Sequence, residues 1–234
     1  MILYGRNPIR EALRAGRRPV RRVWATRRAA DEPWLRGVAV TEARPEQIEQ
    51  RCGSSAHQGI CAEVDGYPYV NAGDLLAAAD PLIVALDELE DPQNVGAICR
   101  TAECVGATGV VLPERRSAEV TAAVCKASAG AVEYLRIARV RNLADFLGDA
   151  KQAGAWVYGA AGVEGSEPYD RPDYRGGVVL VLGAEGKGLR RRVAQSCDAL
   201  VALPLQGKIG SLNVSAAAAA LLYEILQRRL DSGT

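Results

Sequence analysis

The chain is poor in the residues that carry most metal and redox chemistry. Among 234 residues there is one histidine, His57, and the six cysteines at 52, 61, 99, 104, 125 and 197 form no C-x-x-C pair. A zinc site therefore lacks its usual donor set, no metal is expected, and the cysteines read as buried, reduced thiols. Long hydrophobic runs are missing as well. No stretch approaches the roughly 18 uninterrupted apolar residues of a membrane-spanning helix. The opening "MILYGRNPIR" has no apolar core ahead of a small-residue cleavage site, so a cytosolic protein with no membrane partner is expected. Lysine is absent from residues 1–68.

What is present is enough for a substantial core. Apolar residues make up 48% of the chain, and its length suits one large domain or two smaller ones. The formal net charge of +1 says little, but its distribution says more. Residues 1–68 hold twelve arginines against eight acids, and within the first 28 residues nine arginines face the single acid Glu11. Such a block is often only a solvated face. Guanidinium forks nevertheless suit phosphate, so a nucleic-acid footprint stands beside that reading.

The first 65 or so residues alternate short helix and strand signals, as in "NPIREALRAG", "VRRVWAT" and "RPEQIEQRCG". This predicts a compact α/β unit over 1–68. Gly, Pro, Asn and Asp cluster around one short helix in "DGYPYVNAGDLLAAADP", and residues 69–80 within it read as a linker. From 81 onward the pattern becomes strand–helix alternation. Strands are expected at 82–89, 109–113, 155–161, 177–183 and 199–205. Helices are expected at 94–106, 117–129, 142–153, through "GLRRRVAQSC", and from about 213 to 230. Such alternation argues a parallel sheet covered by helices, whose ligands lie beyond the carboxyl ends of the strands.

Three strand ends carry unusual residues. After the first comes "LEDPQNVGAICRTAECVGA", where Pro92 turns the chain, Asn94 can cap a helix, Gly96 admits close backbone approach and Arg100 lies two turns on. Spacing alone favours a capped helix with a solvated arginine. After the fourth comes "VVLVLGAEGKGLRRRV". Its G-x-x-G-x-G spacing meets neither the dinucleotide nor the P-loop fingerprint, and Glu185 sits between glycines. After the fifth comes "LPLQGKIGSLNVSAAAAALLYEIL", where Ser211, Asn213 and Ser215 all suit a helix N-cap although one suffices. The alanines 216–220 predict a helix face packed closely on other backbone.

In this order the three segments resemble the SpoU (TrmH-like) ribose 2′-O-methyltransferase family of the SPOUT superfamily. The form N-x-G-x-x-x-R-x-A appears as Asn94, Gly96, Arg100 and Ala102. The form G-x-E-x-x-G appears as Gly183, Glu185 and Gly188, and P-x-x-G-x-x-x-S-L-N-V-S matches residues 204–215 throughout. "YGRNPIREAL" and "HQGI" also resemble the accessory domain of members that modify large-subunit ribosomal RNA, a ribosomal-protein-like RNA-binding fold.

The resemblance implies a parallel-sheet domain over 81–234 with a C-terminal deep trefoil knot, preceded by the small RNA-binding domain. It implies a homodimer, often paired through the last helix, that transfers a methyl group from S-adenosylmethionine to a ribose 2′-hydroxyl. The substrate it implies is a guanosine of 23S ribosomal RNA or the assembling particle. A tRNA or resistance-type enzyme, or a non-catalytic RNA-binding protein, are the alternatives. The implied catalytic set is Asn94, Arg100, Glu185, Ser211 and Asn213. The implied cofactor set is Leu182, Gly183, Glu185, Leu203, Leu205, Gly207, Ser211, Leu212 and Asn213. The family gives the Arg100 position an activating role. Because guanidinium is not readily deprotonated, phosphate holding and charge stabilisation suit it better than general base. RNA phosphates are expected on Arg6, Arg10, Arg17, Arg18, Arg21 and Arg22.

Overall fold

The computed structural model describes residues 1–231. The amino-terminal part consists of β1 (Ile2–Tyr4), α1 (Arg6–Ala15), β2 (Val20–Ala25), α2 (Arg27–Ala30), β3 (Val40–Glu42), α3 (Pro45–Cys52) and β4 (Ile60–Val64). Its sheet has the order β1-β4-β2-β3, antiparallel except for the β2–β3 pair. A short helix, α4 (Gly73–Leu76), lies between this sheet and the next.

The second part runs β5 (Leu82–Asp87), α5 (Pro92–Cys104), β6 (Gly109–Pro113), α6 (Ala122–Ala127), β7 (Ile137–Val140), α7 (Leu143–Gln152) and β8 (Trp156–Ala160). It continues with β9 (Glu167–Pro168), β10 (Val178–Gly183), α8 (Arg191–Ser196), β11 (Ala199–Ala202) and α9 (Val214–Asp231). Every strand pair in this sheet is parallel, in the order β7-β6-β5-β10-β8-β11-β9. The two-residue period of a strand divides its continuous apolar runs between the two faces. Leu82, Val84, Leu86, Val178, Leu180 and Leu182 share one core with α5, α6 and α9. Ile83, Ala85, Val179 and Val181 share the other with Leu143, Phe146 and Leu147 of α7 and Val193 of α8.

Several local expectations change. Asp91, not Asn94, caps α5: its carboxylate accepts from the Gln93 amide at 2.9 Å, and Pro92 occupies the first helical position. Asn94 is thereby turned inside the helix and buried. The segment "IARV" forms β7, hidden from the pattern by charged Arg136 and Arg139 beside its apolar residues. The strand expected to reach residue 205 stops at Ala202. The helix expected over 117–129 is confined to α6. Of the five alanines opening α9, only Ala218 is fully buried, while Ala216 and Ala220 are exposed. Five consecutive helical residues span more than one turn, so they cannot all face the same neighbour. The close approach sits instead at Gly96, where a Cβ would meet that of Ala127 at 2.4 Å.

The two sheets are joined by a buried interface. Strand β1 and helix α1 pack on α6 and on the turn at 131–133, and α6 in turn packs on α5. Arg18, 4% exposed, donates to both carboxylate oxygens of Glu133 and, at 3.1 Å, to the Asp65 carbonyl. Burial opposes the charge on Arg18, and Glu133 more than offsets it, so the guanidinium is held above its usual pKa. Arg17 donates to the Leu135 carbonyl and lies over the Tyr67 ring. The Tyr67 hydroxyl sits 2.6 Å from that same carbonyl. Arg18→Ala leaves the Glu133 carboxylate buried and unpaired, so chemical denaturation should show a loss of about 3–5 kcal/mol. Replacing both partners, Arg18→Met with Glu133→Leu, should recover most of it.

Candidate active site

The carboxyl ends of β8, β10 and β11 open on one cavity of about 270 Å³. Its walls come from Leu182 to Gly186 after β10, Val201 to Leu205 after β11, and the Gly210–Leu212 segment before α9. Apart from Glu185, the lining side chains are small or aliphatic, so most polar atoms available to a ligand belong to the main chain. The β10 loop must be glycine-rich for steric reasons: a Cβ on Gly183 would lie 2.3 Å from the carbonyl carbon of Gly188.

One amide draws together the segments that follow β5, β10 and β11. Asn213 Oδ1 accepts from the backbone N–H of Ser215 at 2.9 Å and of Ala216 at 3.3 Å, capping α9. Its Nδ2 donates to Asn94 Oδ1 at 2.9 Å and to Glu185 Oε1. Glu185 also accepts from the Val214 amide at 3.3 Å. Asn94, Glu185 and Asn213 are thus one hydrogen-bonded set, although they lie far apart in sequence. Ser211 lines the cavity beside this set.

Of the expected cofactor residues, Leu182, Gly183, Glu185, Leu203, Leu205, Ser211 and Leu212 line the cavity. Gly207 and Asn213 do not, although the Asn213 amide holds the lining residue Glu185. Arg100 is exposed on α5 and is not part of the Asn94–Glu185–Asn213 set. The sequence reading missed Ala160, Ala161 and Gly162, which close the wall after β8. The small-residue run "GAAG" at a strand end was their signal. It also missed a latch beneath the loop. Asp87, 1% exposed at the end of β5, accepts from the backbone amide of Arg190 at 2.8 Å and from its Nε at 2.7 Å. That hydrogen bond, foremost, raises the pKa of Arg190. The sequence cue was an acid closing the apolar run "LIVALD".

Burial pushes the thiols of Cys99 and Cys197 up to about 12 and those of Cys61 and Cys125 to about 11, well away from nucleophilic thiolate. His57 Nδ1 accepts from the Gly59 amide at 2.9 Å within a turn.

The expected phosphate-binding arginines are largely committed within the protein. Arg6 pairs with Glu32 at 2.6 Å, Arg10 with Glu11 at 2.6 Å and Arg21 with Asp65 at 2.8 Å. Arg17 is held by main-chain carbonyls at the interface, and Arg22 is exposed. Arg18 is corrected outright: it is buried against Glu133 and has no surface to offer a phosphate.

Comparison with known proteins agrees with this geometry. The profile of the SpoU rRNA Methylase family matches residues 81–223, and that for RNA 2′-O ribose methyltransferase substrate binding matches residues 2–70. A putative TrmH family tRNA/rRNA methyltransferase of Bacillus subtilis, YacO, is 42% identical over 202 residues, covering 84% of this chain and 80% of the relative. The SpoU methyltransferase AviRb of Streptomyces viridochromogenes, solved with AdoMet, superposes with a TM-score of 0.83 at 26% identity, covering 99% of this chain and 91% of that one. An AdoMet-bound rRNA methyltransferase of Sinorhizobium meliloti gives a TM-score of 0.81 at 28% identity, covering 97% of this chain and 86% of that one. With one family profile spanning more than half its length and a relative of this identity covered over most of its own, the chain belongs to the SpoU rRNA methylase family.

Proposed function

We propose that the protein transfers a methyl group from S-adenosylmethionine to a ribose 2′-hydroxyl of RNA, with a guanosine of 23S ribosomal RNA as its target, in the cytoplasm. The observation that carries this reading is the closure of Asn94, Glu185 and Asn213 on the rim of one strand-end cavity. The cavity suits the cofactor in chemistry. Aliphatic walls at Leu182, Val201, Leu203 and Leu221 can enclose a base, and main-chain groups around Gly183 and Gly210–Leu212 can meet its polar edge. AviRb and the Sinorhizobium meliloti enzyme, both solved with AdoMet, support the same choice. When bound, S-adenosylmethionine supplies an electrophilic methyl group on a sulfonium centre, a good leaving group.

The chain's own task is to orient a weak nucleophile and to stabilise the negative charge that develops on its oxygen while the 2′-hydroxyl proton passes to bulk water. Ser211, at the cavity wall, is placed to hydrogen-bond the incoming ribose. Glu185, already a double acceptor, fixes the Asn213 amide rather than taking a proton. Arg100 acts as a phosphate clamp and stabilises charge developing on the 2′-oxygen. Its guanidinium carries no ion pair among the described residues, so it is available to an external anion.

The homodimer is part of the same proposal. The outer side of α9 presents Tyr223, 53% exposed, next to exposed Leu212, a surface a second copy can cover. The C-terminal trefoil knot is proposed with it. In support, the chain leaving β11 returns through residues 203–213 to place Asn213 against both Asn94 and Glu185.

Mapping 2′-O-methylation in large-subunit RNA and in tRNA, with and without the gene, tests the reaction and the target together. One guanosine of 23S RNA should lose its mark, and a lost tRNA mark would replace the target. Arg100→Ala should lower the single-turnover methylation rate about 100-fold, and a near wild-type rate would remove its role. Asn213 separates cap from site. Asn213→Ser should stay within a few tenths of a kcal/mol of wild-type stability, whereas Asn213→Ala should lose about 1 kcal/mol. Both should lose turnover, because neither side chain bridges Asn94 and Glu185.

A further inference from the structure

The arginines that are committed within the fold direct attention to those that are not. Arg6, Arg10 and Arg21 hold acids, and Arg17 and Arg18 hold the domain interface. Arg27, Arg28 and Arg44 differ. All three are exposed, and none is in an ion pair among the described residues. They line one groove of about 540 Å³, together with Thr26, Glu42, Ala43, Pro45 and Gln47. Glu42 is the one carboxylate in that wall, which leaves the groove a surplus of two positive charges. Gln47 uses its carbonyl oxygen to accept from the Arg44 amide at 2.9 Å, and its own NH₂ makes no hydrogen bond among the described residues. Three guanidinium forks and a free amide donor therefore line one groove in which a single carboxylate, Glu42, is too little to match them.

We propose that this groove, formed by Arg27, Arg28, Arg44 and Gln47, binds consecutive phosphates of the RNA backbone. The inference rests on RNA being the substrate. It replaces the face read from sequence by one that the ion pairs leave open. Guanidinium groups without internal partners incur no cost of broken ion pairs when a phosphate arrives, whereas Arg6 or Arg21 must first give up Glu32 or Asp65.

The position of the groove gives it a distinct role. Strand β1 lies at the sheet edge that docks on α6, whereas α2 and β3 lie at the opposite edge. Across the order β1-β4-β2-β3 that is three strand spacings, or about 14 Å. A phosphate held there is remote from the nucleotide being methylated. The groove therefore grips a flanking stretch of the RNA, and an oligonucleotide too short to span both places loses it.

The test measures binding of in vitro-transcribed large-subunit ribosomal RNA at several salt concentrations, for wild type and for Arg27→Gln/Arg28→Gln/Arg44→Gln. All three positions are exposed, and thermal unfolding checks that the variant stays folded. The slope of log affinity against log salt should shrink by about two, since each lost phosphate contact removes roughly 0.7. The charge-matched variant Arg6→Gln/Arg10→Gln/Arg21→Gln should change it by less than half of that. An unchanged slope in the first variant, or an equal change in the second, overturns the proposal. Calorimetric titration of the same preparations with S-adenosylmethionine keeps the two readings apart. RNA binding that depends on the groove without cofactor binding would sink the methyltransferase reading and leave the groove standing.

Discussion

The site depends on both ends of the Asn213 side chain. Its oxygen satisfies the first free amides of α9, and its nitrogen ties Asn94 of α5 to Glu185 of the β10 loop. A helix start is normally a local affair, settled within four residues. Here it also sets the spacing of segments more than a hundred residues apart. The loop before α9 can be rich in small polar residues because one member caps the helix, leaving Ser211 free at the cavity.

Position is passed to that amide through packed helices. Helix α5 carries Asn94 and packs on both α6 and α9. Gly96 lets Ala127 come within reach only because no side chain stands between them. Helix α6 also bears the amino-terminal domain, which is fixed by the buried Arg18–Glu133 pair and the Tyr67 hydroxyl. The domain that matches the RNA 2′-O ribose methyltransferase substrate-binding family and the helix that carries Asn94 thus share one neighbour.

Much of this is legible in the sequence. Strand runs buried on both faces announce themselves, and β6 and β10 fall within a residue of where their apolar runs place them. The three motifs pointed to Asn94, Glu185 and Asn213 through their resemblance to the SpoU family, whereas spacing alone read Asn94 and Asn213 as helix caps. What stayed hidden was of two kinds. Edge strands such as β7 mix arginine into the pattern, since one side of the ladder meets solvent. Pairings across long sequence distances, such as Asp87 with Arg190 or Arg18 with Glu133, leave no local trace. A cluster of arginines can be counted in a sequence, but whether each faces an acid, a carbonyl or open solvent is decided only by the fold.

The strand order has a consequence for how the molecule is made. Strand β10 lies between β5 and β8, yet it follows both in the chain. Until residue 183 has left the ribosome, the sheet is a three-stranded β7-β6-β5 piece and a separate β8, whose other neighbour β11 follows later still. Strand β5 then keeps unpaired main-chain groups along one side and β8 along both. The last strand to arrive at the middle must enter a slot rather than extend an edge, so it closes contacts spanning about a hundred residues in one step. During synthesis that open slot is where another chain's strand can pair by mistake.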